Sequence, residues 1–426
     1  MKRISLILVL FFVCVGLSAQ TRTHVYNEQI RTLRVERRWL VLEDGVVDGT
    51  DPENTLHISF DEMSHSTHMY TYGVQALEVR GDRLEVNAGM LSSEYLKGFT
   101  TQDITDYEHS MNTSREYTHY WFDFPNEDMQ LTKSGAYLLT IYEDGNPDNK
   151  VAEVIFYVVE PMVKVDARVR ANTDIEFNGR YQQIDVDVDL QQSGISYQPS
   201  ELRIVVTQNN RMDNAVYLSQ PTFIEPNRLR YVNNKSLIFE GGNEYHHFDA
   251  FSCFYAGHGI DRVFHENGDY HVLLFPNEVT EGQYIHEFDS NGRYVVNAER
   301  TNDADTEAEY MWVHWTLPVD KPWLDGSLYV GGELFNNEMG LQNRMQYDAD
   351  ARCYWLTALV KQGGYDYQYV FVPKTGERLE VRGDWNTTTQ RVDGSYWQTE
   401  NEYTIYVWWR PFGSRSERLV GVSMIK

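Results

Sequence analysis

Cysteine, basic residues and long apolar stretches are all scarce in this chain of 426 residues. Three cysteines exclude a small scaffold held together by several disulfides. Lys and Arg number 37 against 63 Asp and Glu, a formal net charge of −26. This charge disfavours nucleic acid and anionic membrane surfaces as partners, because both require clustered cations. After the first 20 residues, no stretch approaches the roughly 20 apolar residues that a membrane-spanning helix needs.

The first residues are typical of a secretory signal peptide. Lys2 and Arg3 form a positive start, residues 4–17 form an apolar run, and Ala19 ends a small-residue exit, which are the three parts that such signals share. We expect residues 1–19 to be removed. The formal net charge then changes from −26 to −28, because two cations are lost. The remaining chain is predicted to be soluble and exported.

Alternation of apolar and polar residues is the dominant pattern of the chain, and it is the period of β-strands. It is strict in 183–190, and it places four large apolar residues on one face in 365–371 and again in 403–409. Residues typical of turns, such as Gly and Asn, separate the runs. Aromatics make up 14% of the chain, which argues against disorder. We predict an all-β fold of tandem antiparallel β-sandwich modules, immunoglobulin-like or E-set-like.

Prolines after strand-like runs suggest two module boundaries, at Glu160-Pro161 and at Leu317-Pro318. The sequence therefore predicts three modules after the signal peptide. They are an N-terminal β-sandwich in residues 20–160, a middle β-rich domain in 161–317 and a C-terminal E-set-like β-sandwich in 318–426.

Two adjacent tryptophans, Trp408 and Trp409, hint at contact between modules. Neighbouring positions of a strand face opposite sides of its sheet. One of the two must therefore leave the core of its own sandwich, unless another module or a partner covers it.

The sequence contains no motif that supports an enzyme or a cofactor site. Asp185-x-Asp187-x-Asp189 has the spacing of a calcium loop. However, Leu190 and Ser196 stand where that loop needs its glycine and its bidentate glutamate. A strand with an acidic outer face is the better interpretation.

Histidine and cysteine positions give no stronger signal. His65-x-x-His68 lacks the helical spacing of a zinc protease site, so we favour a loop with surface histidines. Cys253 and Cys353 either pair in an oxidising compartment or remain two buried thiols, and the sequence leaves both alternatives open.

Short blocks spread over nearly the whole chain resemble, in their order, the plug protein family of the type IX secretion system of Bacteroidota. The blocks are Leu56-x-x-Ser59-Phe60-Asp61, Glu94-Tyr95-Leu96-Lys97-Gly98-Phe99, Ile104-x-Asp106-Tyr107-Glu108-x-Ser110-x-Asn112-Thr113, Tyr117-Thr118-His119-Tyr120, Phe124-Pro125-Asn126, Ser134-Gly135-x-Tyr137, Gln208-Asn209-x-Arg211-x-Asp213, Gly241-Gly242-Asn243-Glu244-Tyr245, Phe248-Asp249, Met345-x-Tyr347-Asp348 and Leu359-x-Lys361-Gln362-Gly363-x-Tyr365-Asp366-Tyr367.

This resemblance implies a non-catalytic periplasmic protein. It would bind the giant outer-membrane β-barrel translocon of the secretion system and occlude its channel in the resting state. The resemblance implies no cofactor, no small-molecule substrate and no nucleic acid, and contact with the membrane only through the partner.

Within the matched blocks, polar and aromatic residues are our candidates for partner binding. They are Asn112, Tyr117, Tyr120, Gln208, Asn209, Arg211, Asp213, Asn243 and Glu244. Tyrosines anchor protein interfaces but also fill sandwich cores. Arg211 and Asp213 lie on one face if the segment is extended, and a buried polar network is the alternative interpretation for their block.

A carbohydrate-binding accessory protein is the second functional hypothesis. Ser327-Leu328-Tyr329-Val330-Gly331-Gly332 with Phe335-Asn336 resembles the starch- and glycogen-binding sandwich found beside glycan enzymes. Asn337 and Glu338 stand where such modules carry a tryptophan, so the resemblance indicates a shared fold more than a shared ligand.

Overall fold

A computed structural model describes residues 21–47, 49–280, 282–374 and 387–426 of the chain. The predicted signal peptide, residues 1–19, lies outside the described residues. Strands dominate, and in the described ranges α-helix is limited to two single turns, α1 (Ala304–Glu307) and α2 (Gln390–Asp393). The predicted all-β fold is confirmed. In the same ranges, no helix is long and apolar enough to span a membrane.

The first unit of the fold holds thirteen strands of the described chain. They are β1 (His24–Val25), β2 (Ile30–Val35), β3 (Trp39–Val41), β4 (Leu56–Glu62), β5 (Tyr70–Arg80), β6 (Arg83–Val86), β7 (Leu96–Gly98), β8 (Thr101–Ile104), β9 (Asp106–His109), β10 (Thr118–Phe124), β11 (Met129–Leu131), β12 (Gly135–Glu143) and β13 (Lys150–Val159). One sheet has the order β2-β4-β10-β9, and the strands β13, β12, β5 and β6 belong to a larger sheet. Apolar residues of both sheets, such as Phe60 and Leu139, share one core.

A second unit follows and is completed by the end of the chain. Its strands are β14 (Lys164–Arg170), β15 (Tyr181–Asp189), β16 (Leu202–Gln208), β17 (Arg211–Leu218), β18 (Phe223–Glu225), β19 (Arg228–Tyr231) and β20 (Ile238–Glu240), together with β30 (Tyr403–Trp409) and β31 (Arg418–Ile425). The sheet β14-β15-β19-β18, with β20 paired to β15, faces β16, β30 and β31. Val186, Ile204 and Ile405 lie in the core between them.

The third unit is formed by the segment of the chain between these two parts of the second unit. Its strands are β21 (His246–Ala250), β22 (Ile260–Glu266), β23 (Asp269–Leu274), β24 (Tyr294–Val296), β25 (Tyr310–Pro318), β26 (Gly326–Gly331), β27 (Gln346–Asp348), β28 (Cys353–Lys361) and β29 (Gly363–Pro373). The strand orders are β21-β29-β24, with β26 on β29, and β22-β23-β25-β28-β27. Both sheets contribute to one core, which includes Phe248, Trp315 and Tyr369.

Single-turn 3-10 helices occur in the loops of all three units. They span Pro52–Asn54, Ser92–Glu94, Lys235–Leu237, Glu333–Phe335 and Leu341–Asn343.

These cores suggest a division of the chain that differs from three consecutive modules. The sequence-based boundary at 317/318 falls at the end of β25, which pairs with β28 along its whole length. The last two strands pack on the core of 163–239. We therefore propose residues 21–160 as the first unit, 161–240 with 401–426 as the second, and 245–374 with 387–400 as the third. The immunoglobulin-like type of each unit stays a prediction.

One sheet joins the first unit to the second. Its order is β17-β16-β30-β31-β13-β12-β5-β6, and β13 meets β31 in parallel where Val159 pairs with Leu419. Arg203 of β16 donates a hydrogen bond of 3.3 Å to the carbonyl oxygen of Val79 in β5. Because these strands lie near opposite ends of the sheet, the sheet curls around one of its own faces.

That enclosed face, which we call the apolar junction, forms a core of its own. Leu77 and Tyr157 of the first unit contact it from one side, and Val205 and Trp408 of the second from the other. Trp409 packs instead on the core of the second unit. The two adjacent tryptophans thus face two different cores, and residues of this same chain cover Trp408.

The acidic strand of the second unit carries ion pairs across the sheet. Asp185 lies 2.8 Å from Arg168 and 2.9 Å from Arg170. Asp187 lies 2.8 Å from Arg230. Arginines of the neighbouring strands therefore pair with two of the three carboxylates that resemble a calcium loop.

Candidate partner-binding site

The nine predicted partner-binding residues fall in three places. Tyr120 lies in the core of the first unit, completely buried, with its ring stacked on Phe60 at 5.3 Å between centroids. Its hydroxyl accepts a hydrogen bond from the amide of His68. In this structure Tyr120 offers no surface to a partner. The alternation of Tyr120, Phe122 and Phe124 in β10 is a sequence signal that indicates a core face.

Asn112 and Tyr117 lie in a loop that contacts the third unit of the same chain. Asn112 is exposed and has a left-handed backbone, with φ of 62°, a conformation that asparagine tolerates. The amide of Met111 donates to the carbonyl of Thr306 at 2.9 Å. Tyr117 is completely buried, and its hydroxyl donates to the carbonyl of Ala308 at 2.9 Å. Of the two candidates, only Asn112 is accessible.

The other six candidates converge around one polar pocket between the second and third units. Gln208 and Arg211 pair across the hairpin of β16 and β17. The two turn residues, Asn209 and Asn210, both have positive φ, 50° and 56°, as a two-residue hairpin of this type requires. The turn thereby brings Gln208, Asn209 and Arg211 into the lining of this pocket.

Arg211 and Asp213 form the ionic part of the pocket. The guanidinium donates to both carboxylate oxygens, at 3.1 and 2.6 Å, the local pair that their spacing predicts. Thr387 Oγ1 donates to Asp213 at 2.5 Å. Burial raises the pKa of the Asp213 carboxyl, but the attraction of Arg211 outweighs burial, so its pKa lies below the usual value. The carboxylate therefore stays charged and fixed.

Amide side chains fill the rest of the pocket. Gln208 donates to the carbonyl of Glu240 at 2.8 Å, and Asn209 donates to Asn401 Oδ1 at 2.7 Å. Asn209 Oδ1 in turn accepts from the amide of Glu402 at 2.8 Å. Because these groups bond to one another, the pocket is a buried polar network that joins units.

Asn243 and Glu244 lie at the margin of the same pocket. Asn243 is half-buried and lines it, and its Oδ1 accepts from the amide of Glu244 at 3.0 Å. The Glu244 carboxylate is buried and accepts from the hydroxyl of Tyr284 and from the amide of Glu400. The two residues thus connect the pocket to loops of the third unit.

A second cluster, which sequence reasoning did not single out, joins the first unit to the third. We call it the Asp61 cluster, formed by Asp61, His119, Tyr310 and Lys361. The Asp61 carboxylate accepts from Lys361 Nζ at 2.6 Å and from the hydroxyl of Tyr310 at 2.6 Å, and it lies 2.7 Å from His119 Nδ1. The Lys361 ammonium also lies 4.2 Å from the ring centroid of Tyr117. Asp61 and Lys361 stand in two of the matched blocks, but 300 residues apart, and no local pattern connects them.

Electrostatics keep the cluster charged although it is buried. The side chains of Asp61 and Lys361 are each 1% exposed. Burial disfavours the charged carboxylate, but the Lys361 ammonium and the His119 ring outweigh this, and the pKa of Asp61 lies below its usual value. Burial also disfavours the charged form of Lys361, and its pKa lies below the usual value although the attraction of Asp61 opposes this change.

A third cluster connects all three units through one carboxylate, Glu402. Arg38 of the first unit lies 2.5 Å from it, and Arg293 of the third unit donates to both of its oxygens at 2.7 and 2.8 Å. Burial opposes the charge of Glu402, but the two guanidinium groups lower its pKa below the usual value. Glu402 itself precedes β30 of the second unit, so the three units meet at this point.

Histidine and cysteine side chains are placed as structural groups. His65 Nε2 lies 3.1 Å from the carbonyl oxygen of Ser110, and His68 Nδ1 lies 3.1 Å from Glu143. Cys253 and Cys353 are both free, and burial raises the pKa of the Cys253 thiol to about 12. Among the residues that the structure describes, no three or more His, Cys, Asp or Glu are arranged to hold a metal ion.

Comparison with solved structures finds a similar protein that aligns over almost the full length. A crystal structure of a hypothetical protein from Parabacteroides merdae aligns with a TM-score of 0.88 at 35% identity, and the alignment covers 96% of this chain and 99% of that one. The BSP domain of a biofilm associated protein aligns at 7% identity over 96% of this chain and 61% of that one. Its TM-score of 0.18 is too low to indicate a common fold. A search of curated proteins gives no match.

Comparison with family models identifies the first unit. Residues 30–160 match the first domain of the type 9 secretion system plug protein. The match covers β2 to β13, and it ends at the boundary between the first and second units. The plug family is a non-enzymatic family of a secretion system. The first unit of the chain therefore belongs to the type IX secretion system plug family.

Proposed function

We propose that the protein is a non-catalytic plug, which binds the outer-membrane β-barrel translocon of the type IX secretion system and occludes its channel in the resting state. The observation that carries this proposal is the match of the first unit to the plug family. The agreement of sequence blocks from the first, second and third units supports it.

The way in which the units are joined supports this function physically. An obstruction that flexes lets solutes pass, so a plug has to be rigid. The first and second units share one sheet and the apolar junction, and close-packed interiors deform little. The Asp61 and Glu402 clusters fix the third unit to the other two. The three units therefore behave as one stiff body.

Charge supports reversible association with a large partner. The formal net charge of −26 becomes −28 when Lys2 and Arg3 are removed with the signal peptide, and charge of one sign speeds encounters with a surface of opposite sign. A basic or mixed rim of the channel would attract this protein. Association with the channel is then expected to slow as ionic strength rises, because exposed charges are screened.

The proposal includes location and partners. The protein is exported by its signal peptide to the periplasm and is associated with the outer membrane only through the translocon. It uses no cofactor, turns over no substrate, and binds neither nucleic acid nor a small-molecule substrate.

A pull-down from native outer membrane tests the proposal. We expect one very large barrel protein to co-purify with the tagged chain. We also expect an envelope that lacks the chain to become more permeable to small dyes. Unchanged permeability, or turnover of a metabolite by the purified chain, would contradict the proposal. Retention on a polysaccharide gel would favour the carbohydrate-binding hypothesis instead.

A further inference from the structure

A loop of the third unit exposes two large apolar side chains. Ile285 is 72% exposed and Phe288 is 90% exposed, in the irregular segment 282–293 before β24. Side chains of this kind are usually buried. Several of them close together on a soluble surface indicate an interaction site.

Contacts with Glu244 and Tyr396 hold the loop in a defined position. The Tyr284 hydroxyl donates to the buried carboxylate of Glu244 and lies 3.2 Å from His286 Nδ1. The rings of Tyr284 and Tyr396 lie 5.8 Å apart, and the Tyr396 hydroxyl donates to the carbonyl of Gly282 at 3.0 Å. The exposed side chains are therefore presented by an ordered support, which reduces the entropy lost on binding.

A second exposed aromatic residue lies on the adjoining loop of the second unit. The amide of Trp397 donates to the carbonyl of Gly179 at 3.0 Å, and this contact brings the loop of Phe177 against the loop of Tyr396. Phe177 is 72% exposed. We call Phe177, Ile285 and Phe288, with the supporting Tyr284 and Tyr396, the aromatic loop surface.

Acidic side chains surround these residues. Glu287 is exposed in segment 282–290, which contains no lysine or arginine, and Glu400 is exposed on the neighbouring loop. Arg180, a cation of the second-unit loop, lies 3.6 Å from Glu176 and so pairs with an acidic side chain of its own loop. The apolar side chains thus stand inside a negative rim.

We propose that the aromatic loop surface docks a protein surface whose exposed apolar side chains are surrounded by arginine and lysine. This inference rests on the proposed function, and it assigns that partner surface to the translocon barrel. Apolar anchors at the centre of an interface with charged residues at its rim are the common arrangement in protein complexes. A second copy of this chain fits less well, because a symmetric contact would bring two acidic rims together.

The variant I285S/F288S tests the assignment, with F412S as its control. Phe412 is 97% exposed at the turn between β30 and β31, so the control also replaces an exposed apolar residue. We expect the double variant to bind the purified barrel about tenfold or more weakly, mainly through faster dissociation. F412S is expected to bind like wild type. All three proteins should unfold at the same temperature, because the replaced side chains are exposed.

The rim is tested by E287Q/E400Q, which should slow association at low salt and leave dissociation nearly unchanged. Equal binding of wild type and I285S/F288S to the barrel would overturn the assignment while leaving the proposed function in place. Equal weakening by F412S would overturn it too. Absence of binding by wild type would overturn the proposed function, and the assignment with it.

Discussion

The first unit meets its two neighbours through contacts of opposite chemistry. It joins the second unit through a shared sheet and the apolar junction, where Tyr157 and Trp408 pack together. It joins the third unit through the Asp61 cluster, in which a carboxylate and an ammonium are both withdrawn from water. One contact depends on buried apolar area and the other on the pairing of charges.

This difference suggests that the two contacts have different roles. One determines how stable the association of the units is, and the other determines their relative orientation. Apolar burial stabilises roughly in proportion to area and tolerates replacement by other apolar groups. A buried ion pair adds little net stability, but the loss of one partner leaves an uncompensated charge. Our hypothesis is that the apolar junction supplies stability and that the Asp61 cluster fixes the orientation of the third unit.

Removal of the buried cation is expected to have the largest effect. K361M leaves the Asp61 carboxylate buried without its ammonium, and we expect a loss of about 3–5 kcal/mol in the free energy of unfolding. Denaturant titration at neutral pH measures it. The matched variant D61N/K361M removes both charges and should recover much of the loss. A loss below about 1 kcal/mol, as for an exposed pair, would contradict a charged buried cluster.

The pH dependence of this loss sharpens the comparison. In the wild type the pKa of Asp61 lies below the ordinary 3.8, so its contribution is present above that pH and is lost as pH falls through the folded value. Without Lys361 the carboxyl takes up a proton at higher pH. The difference between K361M and wild type should therefore shrink on acidification. A difference that stays constant down to acid pH would show that Asp61 is not the group involved.

Truncation in the apolar junction is expected to have a somewhat smaller effect. Leu419 is completely buried where β31 meets β13, and L419A should lower the free energy of unfolding by about 2–5 kcal/mol. No titratable group is removed, so the loss should be equal at acid and neutral pH, unlike that of K361M. A loss that changes with pH would mean that the junction also depends on charge.

Strand positions could be predicted from the sequence, whereas strand partners could not. Alternation locates β15, β29 and β30 because it is a local property of the side chains. No local pattern indicates that β30 pairs with β16 of the second unit, which precedes it by about 200 residues. An alternating strand can pair with the open edge of any sheet. The pair Trp408-Trp409 is an exception, because two adjacent large side chains require two cores.

The candidate site was predictable only where its partners are close in sequence. Arg211 and Asp213 are two residues apart, and their pairing follows from the period of a strand. Asp61 and Lys361 belong to different units, and only the packing of those units brings them together. The burial of Tyr117 has the same cause, because the third unit covers it.

A pH effect inside the third unit has to be separated from that of the Asp61 cluster. His247 lies 2.7 Å from Asp366 and 2.9 Å from Asp249, and its hydrogen bond to Asp366 raises its pKa from 6.5 to about 9. The protonated form is favoured by folding, so its contribution is complete below pH 6.5 and is lost as pH rises toward 9.

We expect H247Q to lower the free energy of unfolding by on the order of 1 kcal/mol near pH 6, since the histidine is partly exposed. The variant and the wild type should converge toward pH 9. Denaturant titrations across this range measure both changes. Parallel curves for the two proteins would exclude a charged His247.

The smallest effect on the free energy of unfolding is expected for an ion pair that is exposed to solvent. Asp187, like Asp61, is an aspartate that contacts cations: Arg228 lies 3.1 Å from it and Arg230 lies 2.8 Å from it. The side chains of these two arginines are 47% and 36% exposed, whereas Lys361 is buried. D187N should therefore change the free energy of unfolding by about 0.2–1 kcal/mol, and by less in about 1 M salt. A loss as large as that of K361M would show that burial is not what makes the Asp61 cluster sensitive, because hydration is the main difference between the two carboxylates.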